Sequence, residues 1–383
     1  MTIRVPALVT TVVLTRLVAP RDFGVIALGL VILTYLDALN EFGISSAVIY
    51  SADDGPVELS VAFWLSMVTG IAAALLMTAS ASPLAAAFEE PRLRTVLPVL
   101  SLAFILNSAG SVQVAVLKKR LQFRRLVPVD VARAALKAVV AITAAFAGWG
   151  VWSLVAGQLA GELTGSVAVW LSLRWRPSFV WDGAVVRRVL GYGSHIMGVG
   201  VVAALLADVD YLIVGRRLGS QQLGFYAVGF RLPELAVLGI CYAVSATMFP
   251  VLTRLRRDPE AMEVGLAKSL RVLALLTVPV GVGIALTSRD FVATFYGERW
   301  APTGRVMPFI AMYAVVFSIT FVCGDVYKAV GRPAILMVMG AARFPIAVLA
   351  LLLVAGHGIV WVAATQLALM STNMIVQMAV AHR

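Results

Sequence analysis

The chain has 383 residues, 61% of them hydrophobic and only 13% charged, with a mean hydropathy of +0.93, far from the roughly half apolar, quarter charged make-up of soluble domains. No water-soluble fold hides that much apolar surface. The net charge of +11 does not describe a nucleic-acid surface, because the Lys and Arg residues fall in short loops between apolar runs instead of being interleaved with stacking aromatics.

About 20 apolar residues cross the ~30 Å of a hydrocarbon core. By that measure, apolar runs broken by Pro, Gly and charge clusters predict spans near 3–18, 24–50, 57–81, 95–117, 127–147 and 151–173. A second set follows near 188–214, 223–250, 265–287, 305–330, 334–355 and 359–381. The expectation is an all-α polytopic membrane protein of about 12 transmembrane helices. MTIRVPALVT carries one Arg and no small-residue cleavage site, so it reads as part of the first helix and not as a signal peptide. Cys241 and Cys323 both fall in predicted spans with no His or Cys at ligand spacing, and no metal or cofactor is called for.

Basic residues set the orientation. One side collects Lys118, Lys119, Arg120, Arg124 and Arg125, then Arg174, Arg176, Arg187 and Arg188. The same side has Arg254, Arg256, Arg257, Lys268 and Arg271, then Lys328 and Arg332, making sixteen against nine on the other. That side is expected to be cytoplasmic, with both termini inside.

The halves repeat. APRDFGVIALGL beside GSQQLGFYAVGF, at an offset of 200, aligns Gly24 with Gly224, Ala27 with Ala227 and Gly29 with Gly229. TVLPVLSLAFILNSAGSVQVAVLK beside RVMPFIAMYAVVFSITFVCGDVYK, at an offset of 210, aligns Pro98 with Pro308, Ser108 with Ser318 and Lys118 with Lys328. Two six-helix lobes are expected, 1–180 and 181–383, as parallel repeats about an axis along the membrane normal. The repeat makes the first helix look short by about ten residues, as though it were truncated.

TRLVAPRDFGVIALGLVILTYLDALNEFGISSAVIYS resembles the second-helix signature of bacterial polysaccharide transporters, the Wzx-type oligosaccharide flippases. VDYLIVGRRLGSQQLGFYAVGFRL, FPVLTRLRRDPE, YGERWAP and KAVGRP are similar to that family at matching places. The resemblance implies the V-shaped, MATE/MOP-like fold of the multidrug/oligosaccharidyl-lipid/polysaccharide exporter superfamily, with alternating access and a polar cavity. It implies an undecaprenyl-pyrophosphate-linked oligosaccharide as cargo, moved from the cytoplasmic to the outer leaflet of the bacterial inner membrane for surface polysaccharide. The implied partners are that lipid-linked oligosaccharide, membrane lipids and the polysaccharide polymerase or export machinery.

Ionisable residues inside spans are the candidates for such work. Asp130, Arg133 and Lys137 stand at i, i+3 and i+7 on one face, and Arg133 aligns with Arg343 at the 210 offset. Two repeat-related cations suit a pyrophosphate. The alternative pairs Arg133 with Asp130, lets Lys137 snorkel, and pairs Arg343 with a carboxylate such as Asp325. Asp37 with Glu41, and Arg231 with Glu234, stand on spans two and eight. The resemblance puts those helices around the cavity, with Arg231 as its cation; the alternative is an Arg231–Glu234 surface pair. Asp208 and Asp210 either couple transport to sodium or protons or cap the span beside Arg216 and Arg217. Glu162 and His195 read as polar contacts. No GKS/GKT, HExxH or GxSxG motif and no long outer loop argue for an enzyme. A coupled small-molecule antiporter of the same fold and a non-transporting scaffold remain open.

Overall fold

The computed structural model describes residues 4–40, 44–50, 55–173, 175–332 and 334–381; side chains are described for all of these except 4, 5, 39, 40, 50, 192–204, 206, 207, 259, 380 and 381. Glu41, Arg174 and the side chain of His195 lie outside the described residues. Every regular element described is helical: α1 Arg4–Leu17, α2 Pro20–Asn40, α3 Ile44–Tyr50, α4 Pro56–Ala87, α5 Leu93–Leu100, α6 Leu102–Lys119, α7 Phe123–Phe146 and α8 Val151–Ser172. They continue as α9 Gly183–Pro233, α10 Gly239–Leu255, α11 Pro259–Phe291, α12 Ala301–Ala329, α13 Ala334–Val354 and α14 Ile359–Ala381. These follow the expected spans closely. Among the described residues, eight helical stretches are long and apolar enough to cross a membrane, and the chain is a multi-pass membrane protein. α7 is not among them, because Asp130, Arg133 and Lys137 interrupt its apolar surface.

Backbone chemistry explains where the helices bend or stop. α9 contains a break at Gly219 (φ 83°, ψ 168°), a conformation essentially reserved for glycine, and this separates the two expected spans. Pro233 removes a backbone donor, and a π-helical turn over Glu234–Leu238 follows before α10 begins. The Asp258 side chain accepts from Ala261 N at 3.0 Å and caps α11.

The chain divides into two compact units, Met1–Asp208 and Val209–Arg383. In unit 1, Phe63 of α4 meets Trp64, Trp170 and Trp175 edge-on at 5.3, 5.8 and 6.3 Å. Glycines bring its helices close, as membrane packing requires where lipid supplies no hydrophobic drive. Gly157, Gly161 and Gly165 form one stripe along α8 facing α7: a Cβ on Gly157 would stand 2.7 Å from that of Ala141 and 2.9 Å from the Lys137 carbonyl. One end of unit 1 is clasped by ions. Arg21 of α2 donates twice to buried Glu90, at 3.0 and 3.1 Å, and Arg92 donates to Asp22 at 2.6 Å.

In unit 2, α12 is central and packs on α10, α11 and α14. Trp300, Tyr296 and Phe225 are buried where the repeat places the unit 1 clasp. Phe225 meets Trp300 edge-on at 5.8 Å, and Thr303 Oγ1 donates to the Phe225 carbonyl at 3.0 Å.

Candidate functional site

The three charges of α7 stand on one face, and α8 partners two of them, Arg133 and Lys137. Arg133 Nη2 stands 3.7 Å from Glu162 Oε2. Lys137 Nζ donates to Gln158 Oε1 at 2.5 Å, and Gln158 Nε2 donates to Glu162 Oε1 at 3.1 Å. A polar chain therefore runs Lys137, Gln158, Glu162, Arg133 across the α7/α8 seam. Gly165 makes room for it, since a Cβ there would collide with the Arg133 guanidinium. The expected Arg133–Asp130 neutralisation is corrected accordingly: one turn along a helix brings the two side chains near each other, but Glu162 takes the cation.

Arg133 also edges a cavity of about 280 Å³ between α3, α6 and α7. Asn107, Ser111 and Lys118 reach it from one face of α6, Asp130 and Arg133 from α7, and Ser45 from α3. Hydroxyl, amide, cation and carboxylate groups thus converge on one small volume inside unit 1. The Arg133 Nε is buried without a hydrogen-bond acceptor.

Arg343 on α13, the repeat counterpart of Arg133, also keeps a buried Nε with no acceptor. Its Nη1 points at Met370 Sδ, 3.9 Å away on α14, a weak acceptor at most. The expected pairing with Asp325 is not made. Asp325 accepts instead from Ser245 Oγ at 2.5 Å and from Lys328 Nζ at 3.0 Å. At the 210 offset Glu162 corresponds to Thr372, so the carboxylate that answers Arg133 in one half has no equivalent in the other.

Arg231 Nη1 and Glu234 Oε2 are 3.3 Å apart with both side chains about half exposed, at 50% and 49%. The pair straddles Pro233 at the start of the π-turn. Asp210 is buried and accepts from the Tyr226 hydroxyl at 2.6 Å, with the Gln366 side chain against it. The capping alternative for Asp210 is thereby corrected, because its carboxylate is packed between α9 and α14. Asp208 and Asp37 are half-buried.

A family model described as "Polysaccharide biosynthesis protein" matches residues 13–304. The chain belongs to the polysaccharide biosynthesis protein family. Among relatives of this family member, the succinoglycan biosynthesis transport protein ExoT of Rhizobium meliloti is 24% identical, over 86% of this chain and 66% of its own length. The lipopolysaccharide biosynthesis protein WzxC of Escherichia coli is 23% identical, over 88% of this chain and 67% of its own. The teichuronic acid biosynthesis protein TuaB of Bacillus subtilis is 23% identical, over 76% of this chain and 61% of its own. The chain thus spans about two thirds of the length of these relatives. Its fold is similar to that of the lipid II flippase MurJ as solved in an inward closed conformation, with a TM-score of 0.81 at 12% identity, covering 100% of this chain and 86% of that one. An inward-facing MATE-family transporter of the MOP superfamily gives 0.81 at 13% identity, over 99% and 94%.

Reading the sequence one helix at a time missed Glu162 as the answer to Arg133, the α8 glycine stripe, and the polar wall of Asn107 and Ser111. A four-residue period in small residues at Gly157, Gly161 and Gly165 was the available signal for the second.

Proposed function

We propose that this family member is a flippase carrying an undecaprenyl-pyrophosphate-linked oligosaccharide from the cytoplasmic to the outer leaflet of a bacterial inner membrane, for cell-surface polysaccharide. The observation that carries the reading is the pair Arg133 and Arg343, equivalent in the repeat, each keeping a buried guanidinium donor with no acceptor. A buried cationic donor left unsatisfied is costly, and a pyrophosphate oxygen meets both its charge and its geometry. Lys137 and Arg231 extend the cationic set. The polar wall beside Arg133 suits sugar hydroxyls. The roles of ExoT in succinoglycan biosynthesis transport and of WzxC in lipopolysaccharide biosynthesis support a glycan cargo.

In this reading both termini are cytoplasmic, the lobes are 1–180 and 181–383, and the polymerase or export machinery takes the delivered cargo. Asp37, Glu41, Asp208, Asp210 and Glu234 are the residues through which an ion gradient acts. Asp210 leads that group, since a carboxylate buried in a span is held for a reason beyond packing.

The test is depletion in the host followed by leaflet-selective labelling of lipid-linked oligosaccharide. Accumulation on the cytoplasmic leaflet, relieved by the unaltered chain and not by Arg343→Gln at equal expression, is expected. Unchanged lipid intermediates on depletion would overturn the flippase reading in favour of antiport.

A further inference from the structure

Unit 2 carries a row of partly exposed aromatic rings along the edge of its core, with Phe321 packing on Cys241, Leu273 and Val322 and with Tyr211 and Phe230 on buried Tyr226. Tyr313, Phe317 and Phe321 stand at i, i+4 and i+8 on α12, so one helical face presents three rings over about 12 Å. Successive centroids are 6.1 and 5.8 Å apart with planes tilted by 34° and 31°. The row continues at one end through Phe230 of α9, 6.0 Å from Tyr313, to Tyr211, 5.8 Å from Phe230. At the other end Tyr242 of α10 stands 5.4 Å from Phe321. All are partly exposed, Tyr242 at 47%, whereas Tyr226, Tyr296 and Trp300 are fully buried and fill the core.

Charge around the row indicates which solvent it meets. Glu234, half exposed in its pair with Arg231, is within electrostatic reach of Tyr242. Lys328, 41% exposed, holds its Nζ 4.9 Å above the Phe321 ring. Lys328, in the last turn of α12, reaches the membrane surface at that end of the row, whereas a carboxylate as exposed as Glu234 within a span faces a water-filled space and not hydrocarbon. Rings standing on a wet surface need a ligand that is itself hydrated yet has an apolar face.

The repeat narrows the ligand. At the 210 offset, Tyr313, Phe317 and Phe321 correspond to Ala103, Asn107 and Ser111 of α6, and Asn107 and Ser111 line the cavity of unit 1. The duplicated face has thus diverged into hydrogen-bonding groups in one half and rings in the other. A pyranose uses both: its hydroxyls take hydrogen bonds, while the C–H groups of one ring face stack on the negative π-face of an aromatic.

We infer that the row Tyr211, Phe230, Tyr313, Phe317, Phe321 and Tyr242 is a saccharide-binding track, on which successive sugar rings of the cargo stack. The inference rests on the glycan-cargo reading and assigns the sugar part to unit 2 rings, apart from the cations proposed for the pyrophosphate.

The experiment is saturation-transfer NMR on the full chain in lipid nanodiscs, irradiating aromatic protons and observing oligosaccharides released from the host's surface polysaccharide. Transfer to the sugar C–H protons is expected. The double variant Phe317→Leu with Phe321→Leu keeps apolar bulk without rings, and should weaken that binding about tenfold while the melting temperature holds. Tyr242→Leu, at an exposed position, serves as the second variant should the double variant melt early, and is expected to weaken binding by about threefold. No transfer in the unaltered chain, or transfer undiminished in either folded variant, would overturn the track. The leaflet assay reads separately: transfer without flipping sinks the transport reading and leaves the saccharide track standing.

Discussion

Arg133 and Arg343 hold equivalent places in the repeat but have different electrostatic neighbours. Glu162 faces the first at 3.7 Å, and among the described residues no carboxylate faces the second. Removing one member of a partly buried pair leaves the other charge uncompensated. Glu162→Gln is therefore expected to lower stability by about 1 kcal/mol, less than for a fully buried pair because the Arg133 side chain is 37% exposed. Arg133→Gln combined with Glu162→Gln should recover most of that loss in a thermal double-mutant cycle, and no recovery would mean that the two do not interact. Arg343→Gln removes an unanswered cation, so the melting temperature should hold or rise while flipping falls. The spacing of Asp130, Arg133 and Lys137 is legible in the sequence because it lies within one helix. The choice of Glu162 over Asp130 is not, because it depends on how α8 is rotated against α7, and a lone Glu carries no mark of that rotation.

At the scale of the helix, glycine decides how closely α7 and α8 approach. A Cβ at Gly157 would press on Ala141 and on a carbonyl of the α7 backbone, neither of which can swing aside. Gly157→Ala is expected to cost about 1–3 kcal/mol, the usual penalty of overpacking, read as a fall in melting temperature of the reconstituted chain. Gly165→Ala meets only the far end of the Arg133 side chain, which can move. It should leave stability nearly unchanged yet displace the guanidinium, lowering flipping; a stability loss equal to that of Gly157→Ala would contradict this account. At Gly219 nothing lies within 4 Å of an added Cβ. Gly219→Ala therefore tests backbone conformation alone, at about 1–3 kcal/mol. The break there is legible as two apolar runs separated by Arg216, Arg217 and Gly219, and most helix ends are legible for the same reason. The half-exposed aromatic face of α12 is not, since an i, i+4, i+8 pattern of rings in a span reads equally as core, lipid surface or site until burial is known.

For the molecule as a whole, the all-helical multi-pass architecture follows from hydropathy, and the structure and its likeness to MurJ bear out that reading, although among the described residues eight stretches, not twelve, are long and apolar enough to span. The duplication does not make the halves alike: one is clasped by Arg21–Glu90 and Arg92–Asp22, the other closed by Trp300 and Phe225. Which side faces the cytoplasm is a property of the molecule in its membrane, and the asymmetric placement of Lys and Arg argues for it. Lys118, Lys119, Arg120, Arg124 and Arg125 cluster at the α6–α7 turn, whereas the next turn, between α7 and α8, reads AGWG and has no charge. Cysteine labelling can test this cleanly, because Cys241 and Cys323 are both buried and free. With both replaced by Ala, Arg120→Cys should resist a membrane-impermeant maleimide in intact spheroplasts and react once the membrane is opened. Trp149→Cys, at a position 57% exposed, should react in intact spheroplasts. The opposite pattern would invert the topology, put the Lys118 end of the polar cavity at the outer face, and reverse the direction in which the cargo is proposed to move.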